Sequence, residues 1–482
     1  MADIPARSAG WILPTGMWAP AMRMQRVALV LARHGFGEIL ERRRPSPQGL
    51  GKRLARVLAD LGPTFIKLGQ LLATREDLFP AEITRALSEL HSGVPPMKTR
   101  TVERQLKRAL GDHFGQAFAS LDPQPLAAAS IGQVHRATLR TGEKVVVKIQ
   151  RPGLARMVAA DLTLMRFFAG LLAQAIPEVA ALEPVALLEA FERSITAELD
   201  FTHEAENATR LSTLLAGAKE VRVPRIYHAL TRPTVLVMEE VHGQRLSALT
   251  DAQQRSARAA LLRAFSRQIL DHGVFHADPH PGNVLIEPDG RLVLLDLGAV
   301  EQVEEAMRTS LGRLVRALAL GRTRALADAV LALSPGGVPV AIDRARLEVE
   351  LACLVDGASG KADGARVLQQ MVALGRTHQL RLSPSLLALV RALALLDGVL
   401  RGLDPARDLV ADLRREWVLS FGRRMGRWWR RAFGSVTDLA RRWRAPQSPA
   451  PLLLLPWMHL MPVPAAPPPP PPRPSSSRPP ST

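Results

Sequence analysis

The stretch His276-Ala277-Asp278-Pro279-His280-Pro281-Gly282-Asn283, followed by Asp296-Leu297-Gly298, decides how this chain is read. It sets an Asp and an Asn five positions apart in a Pro- and Gly-rich loop, between a helical pattern over Asp251–His272 and a short apolar run at Val284–Ile286. A second apolar run, Leu292–Leu295, leads into Asp296, with Asp289-Gly290 as the turn between the two. A nucleoside triphosphate carries several negative charges, which one or two magnesium ions must bridge before the terminal phosphoryl group can leave. Asp296 and the amide oxygen of Asn283 are hard oxygen ligands of the required kind, and Asp278 can orient or deprotonate the attacking group. His276 and His280 are four residues apart in a loop rather than on a helix face, a spacing that does not suit zinc.

Upstream, Val145-Val-Val-Lys148 lies on an apolar strand pattern, where Lys148 can reach the α- and β-phosphates. Such a lysine needs a carboxylate partner, and Glu198, Asp200 and Glu204 are near one another on the pattern that follows. The order Lys, Glu, Asp and Asn, Asp is that of a protein-kinase active site. The strand patterns at Gln133–Leu139, Lys144–Gln150 and Pro233–Glu240, then helices, give the order of a two-lobed kinase-like α+β fold. Leu154–Ala175 and Pro184–Leu215 read as helices between strands.

Two further motifs resemble the UbiB-type atypical kinases of bacteria, mitochondria and plastids, over about Lys52 to Gly298. One is Lys67-Leu68-Gly69-Gln70, the Lys-x-Gly-Gln signature of an N-terminal helical extension. The other is Ala127-Ala128-Ala129-Ser130-Ile131-Gly132, standing where kinases have a glycine-rich loop; alanine restricts φ and adds methyl groups beside the phosphates. The resemblance implies nucleotide contacts from this loop, Val134, Lys148 and Glu239, and catalytic roles for Asp278, Lys148 and Lys67. It also implies pairing of Lys67 with Glu198 and Asp200 and of Lys148 with Glu204, and metal ligation by Asn283 and Asp296. ATP and Mg2+ follow as cofactors. The implied activity is a Mg-dependent ATPase serving ubiquinone or other isoprenoid-lipid biosynthesis, with a lipid or quinone intermediate or the biosynthetic enzymes as partners. A small-molecule or lipid phosphotransferase, or an atypical protein kinase, is the alternative. The Phe of Asp-Phe-Gly is Leu297 here, which keeps an apolar plug without an aromatic ring.

Composition agrees with a globular protein: 47% apolar, 63 Lys and Arg against 45 Asp and Glu, net charge +18. Such charge favours anionic partners. Nucleic acid is not favoured, because ten arginines over 414–444 interleave with Trp417, Trp428, Trp429 and Trp443, a pattern suited to an anionic membrane surface. Five regions are expected: a basic helical segment at 1–50, a helical extension at 51–121, an N-lobe at 122–242, a C-lobe with basic Trp-containing helices at 243–444, and a Pro-rich tail at 445–482. A lone cysteine, Cys353, and the scattered Arg7, Arg23 and Arg26 in place of a secretory h-region point to the cytoplasm, with peripheral attachment to the inner membrane face and no uninterrupted apolar span.

Overall fold

The computed structural model describes residues 19–34, 47–73, 79–90, 95–177, 183–334, 342–357, 364–380, 382–404, 412, 415 and 416. The basic Trp-containing stretch at 417–444 and the tail at 445–482 lie outside these residues.

The upper lobe is built on β1 (Phe118–Ala128), β2 (Gly132–Leu139), β3 (Lys144–Gln150) and β5 (Val235–Glu239), an antiparallel sheet in the order β1-β2-β3-β5. Alternation decides its two faces. Ala137, Leu139, Val145, Val147, Ile149, Val235 and Val237 point one way into a core closed by Val102, Leu106 and Leu110 of α5 (Thr99–Leu110). Val134, Val146, Lys148, Leu236 and Met238 occupy the alternate positions and face the cleft. The sequence reading extended helix through Leu121, whereas β1 begins at Phe118. Its signal is masked by Pro123 and Pro125, which an edge strand tolerates, and by three irregularities in its register.

The connection from β3 to the lower lobe runs through α7 (Leu154–Ala175), α8 (Pro184–Glu198) and α9 (Phe201–Leu215). The single helix expected over Pro184–Leu215 is thus two. Asp200 breaks it by taking an extended backbone and accepting hydrogen bonds from the N–H of Thr202 (2.9 Å) and its hydroxyl (2.6 Å), an N-cap.

In the lower lobe, β8 (Val284–Ile286) and β9 (Leu292–Leu294) form a hairpin flanked by β4 (Val221–Arg222) and β6 (Gln244–Arg245), in the order β4-β9-β8-β6. They pack on α10 (Asp251–Ser266) and α15 (Pro384–Leu403) through Leu261, Phe265, Leu292, Leu294 and Leu396, all essentially buried. The helix begun by α10 continues as a π turn over Arg267–His272. This widened turn brings the side chain of Gln268 to accept from the N–H of His276 at 2.8 Å, at the entrance of the quoted loop.

An N-terminal extension of α1 (Ala19–Arg33), α2 (Pro47–Leu61), α3 (Pro63–Ala73) and α4 (Ala81–Ser88) has its own core of Leu58, Leu61, Phe65, Ile66, Leu87 and Leu90. Arg23 of α1 ties it to α7. Its guanidinium donates to both carboxylate oxygens of fully buried Asp161, to the carbonyl of Leu61 (2.7 Å), and lies over the Phe65 ring (5.6 Å). Burial pushes the Asp161 carboxyl up, while Arg23 pulls it down. Helix α7 is long and apolar enough to cross a membrane by length and composition, but its first half is anchored by this ion pair and by Met157, Val158 and Leu162. Its second half exposes Phe167, Phe168, Leu171 and Leu172.

Gly69 of the Lys-x-Gly-Gln motif sits where α3 presses on α2 and α4: an added Cβ would overlap Leu90 Cδ1 and lie 2.8 Å from Leu58 Cδ1. Gly69→Ala should therefore destabilise the extension by about 1–3 kcal/mol, read as a lower melting temperature or an early transition in calorimetry.

Candidate active site

Lys148 is the hub of the cleft. Its ammonium donates to Glu204 Oε2 at 2.8 Å, lies 3.6 Å from Asp296 Oδ1, and sits over the Phe201 ring at 5.1 Å. Burial opposes its charge, but Asp296 and Glu204 outweigh burial and raise its pKa. Reciprocally, Lys148 holds the Asp296 carboxyl below the usual range, while burial pushes Glu204 up. The strand supplies Lys148 and the helix supplies Glu204, so the pair fixes α9 against the sheet.

Beside it, Lys67 of α3 donates to Glu198 Oε1 at 2.7 Å. The extension thus places a second cation at the cleft. Asp200, expected to share Lys67, is engaged in the cap of α9 described above. Gln70 donates to the carbonyl of Leu90 at 3.2 Å, so it holds α3 onto the chain after α4.

On the cleft floor, the two loops quoted at the outset are joined by the N–H of Leu295 donating to the carbonyl of Asn283 (2.8 Å). Asn283 donates from Nδ2 to the backbone carbonyl of Asp278 (3.2 Å) and weakly to its carboxylate (3.4 Å). That orientation leaves the Asn283 amide oxygen for a cation. Asp278 is exposed in the cleft. Burial lowers the pKa of the His276 imidazole, and its Nδ1 bonds the carbonyl of Ala299 at 3.2 Å. Asp296 has φ +47, a left-handed conformation that costs a non-glycine residue about 1–3 kcal/mol and persists only where its surroundings enforce it. Among the described residues no cluster of three or more His, Cys, Asp or Glu could hold a metal. Asp296 and Asn283 nevertheless fit magnesium shared with phosphate oxygens, which needs only one or two protein ligands.

Ala127 and Ala128 end β1, and the turn Ala129-Ser130-Ile131 is closed by Ala129 N–H donating to the carbonyl of Gly132 (2.9 Å). Arg151 grips it from β3's end, its Nε donating to Ala129 and its N–H accepted by the Ile131 carbonyl. Gly132 is dictated by contact: a Cβ there would lie 2.5 Å from the carbonyl oxygen of Ile149. Val134 pairs with Lys148 across β2 and β3 on the cleft face.

Glu239 ends β5 at the link between the lobes. Both oxygens of its carboxylate accept from the guanidinium of Arg222, which leaves its backbone for a nucleotide. Burial opposes its charge, but bonds from Arg222 and from the N–H of Arg225 pull its pKa below the usual carboxylate range.

Residues 89–330 match the ABC1 atypical kinase-like domain. The chain belongs to that family. It is 34% identical over 380 residues to a probable protein kinase UbiB of Pseudomonas putida (strain W619), covering 76% of this chain and 70% of that protein. It is 31% identical over 426 residues to a protein of the same name from Vibrio vulnificus (strain YJ016), with 85% and 76% covered. Among solved structures, that of Rv3197 with erythromycin from Mycobacterium tuberculosis superimposes with a TM-score of 0.53 at 28% identity, covering 77% of this chain and 95% of that one. The kinase-like fold implies ATP as the nucleotide.

Asn207 carries a contact whose role the sequence did not disclose. One turn beyond Glu204 on α9, its Nδ2 donates to the carbonyl of Leu297 at 3.1 Å. It joins the helix that positions Lys148 to the loop that positions Asp296, and Leu297 is buried in the lower core. Asn207→Leu, which leaves that carbonyl without its donor, should weaken Mg2+ by about tenfold, measured as the Mg2+ concentration for half-maximal nucleotide binding, with binding in EDTA unchanged.

Proposed function

We propose that this chain is a magnesium-dependent ATPase of atypical kinase type that supports ubiquinone or other isoprenoid-lipid biosynthesis. The observation that carries the reading is the ion pair of Lys67 with Glu198, set beside Lys148, Glu204 and Asp296. It brings the N-terminal extension to the cleft, where a protein substrate of an ordinary kinase would approach. Lys148 would bind the α- and β-phosphates. Asn283 and Asp296 would hold magnesium, which when bound neutralises charge on the phosphates. Asp278, exposed on the floor, would accept the proton of the attacking water. The alanine loop, stiffened by Arg151, would meet the phosphates with methyl groups at three successive positions.

The quinone-lipid half rests on the relatives named UbiB. Contact with an anionic membrane face agrees with the +18 charge and with the exposed apolar residues at the end of α7. Flotation with anionic vesicles but not with neutral ones is the expected outcome; equal behaviour with both removes the membrane part.

The test of the chemistry is ATP turnover by the full chain with magnesium and vesicles. Asp296→Asn should lower kcat by about 10²–10³-fold, since it removes the anionic ligand that would hold magnesium on the phosphates. Release of phosphate without a phosphorylated product in the mass spectrum supports hydrolysis. A phosphorylated small molecule or lipid instead assigns a phosphotransferase, and undiminished turnover by Asp296→Asn removes the site.

A further inference from the structure

The link between the lobes, residues 240–243, is pinned at both ends. The N–H of Glu240 donates to the carbonyl of Lys144 (3.1 Å), and β6 pairs with Leu285 and Ile286 immediately after it. Gly243 crosses so close to β8 that a Cβ would lie 2.8 Å from the carbonyl oxygen of Ile286. Behind this link the segment 221–227 runs between the two sheets: Val221 and Arg222 pair with β9 of the lower lobe, and Tyr227 donates its N–H to Val237 of β5 in the upper.

Arg222 stands at that crossing with two carboxylates before it. It donates from Nη1 and Nη2 to the two oxygens of Glu239, both at 2.9 Å, at the end of β5. It donates from Nε and Nη2 to the two oxygens of Glu287, at 2.9 and 2.6 Å, at the end of β8. The N–H of Arg225 adds a third donor to Glu239 at 3.1 Å, while the Arg225 guanidinium turns to Glu143. One planar fork thus holds the last residue of the upper sheet and the first residue beyond a lower strand. Lysine could not copy it, because an ammonium has no fixed fork. Two carboxylates to one guanidinium leaves one excess negative charge, so loss of the cation would both release and repel the pair.

We propose that Arg222 is an interlobe strut, a positioning residue that acts through Glu239 and Glu287 on the opening of the cleft and so sets the rate at which nucleotide leaves. The proposal rests on the reading of the cleft as an ATP site. A nucleotide bound between lobes departs when they open, and rotation about residues 240–243 must change the spacing of Glu239 and Glu287 that this fork fixes. Arg222 resists that rotation while touching no part of the nucleotide pocket itself.

The test is stopped-flow release of a fluorescent ATP analogue from the full chain. Arg222→Met is expected to release it about tenfold faster, and unchanged release overturns the proposal, even where the melting temperature falls. Glu287→Gln, which leaves the Glu239 fork intact, should give part of this acceleration and add little to Arg222→Met; full additivity in the double variant overturns a shared strut. Should Arg222→Met fail to fold, Arg222→Lys undergoes the same measurement, with an intermediate acceleration expected and none overturning the idea. If the wild-type chain binds no adenine nucleotide, the ATPase reading fails. Hydrogen exchange of the amides over 239–243 in the nucleotide-free protein then judges the strut: faster exchange in the variant supports it, and equal exchange overturns it.

Discussion

Lys148 between Glu204 and Asp296 is the interaction on which the rest of the cleft depends. A half-buried ammonium is costly unless negative charge surrounds it, and here two carboxylates arrive from different directions, one on helix α9 and one on the loop after β9. The requirement propagates outward. α9 must sit against the sheet for Glu204 to reach, which places Asn207 over Leu297 and so steadies the left-handed Asp296. The strain at Asp296 is held by the same contacts that present it to a cation. From there the chain returns at once to ordered structure: β10 (Val300–Gln302) pairs with β7 (Val274–His276), and α11 (Glu305–Ala319) follows. Arg210 of α9 donates to Gln302 at 2.7 Å, a second tie from the same helix to the same segment.

The extension adds a second layer of the same logic. Lys67 and Glu198 pair at the cleft wall, and the helix that carries Lys67 is packed so tightly that Gly69 has no room for a side chain. Gln70 clasps the backbone at Leu90. The three named residues of that motif therefore divide their work: one reaches toward the cleft, one permits close approach of helices, and one ties the packing together.

Much of this was legible because the chemistry is local. Asp278, Asn283 and Asp296 stand in two loops whose flanking apolar runs are short strands, and β3 and β5 show themselves by runs rich in valine. What was hidden depended on contacts distant in sequence. β1 carries prolines and alanines and becomes a strand because β2 offers it an edge. Asp200 reads as an acidic partner for a lysine, yet the break between α8 and α9 needs a cap, and a carboxylate two residues before Thr202 meets that need locally. Glu239 falls on the strand that ends at the hinge, but sequence carries no sign of Arg222 behind it. Asn207 could have been placed on the face of Glu204 from their three-residue spacing, whereas its acceptor, a backbone carbonyl ninety residues away, could not.

Arg23 and Asp161 have a practical bearing on how the catalytic lobes can be isolated. A fragment beginning at the matched domain, residue 89, would lose Arg23 and its neighbour Phe65, and with them the helices α1 and α3 that cover Asp161 on α7. Water would then solvate the carboxylate, but Met165 of the same helix, which packs on the extension's core, would be bared beside it. Trimming the first helices therefore exposes an apolar face of α7, and activities of trimmed and full-length proteins are comparable only once that face has been covered or made polar.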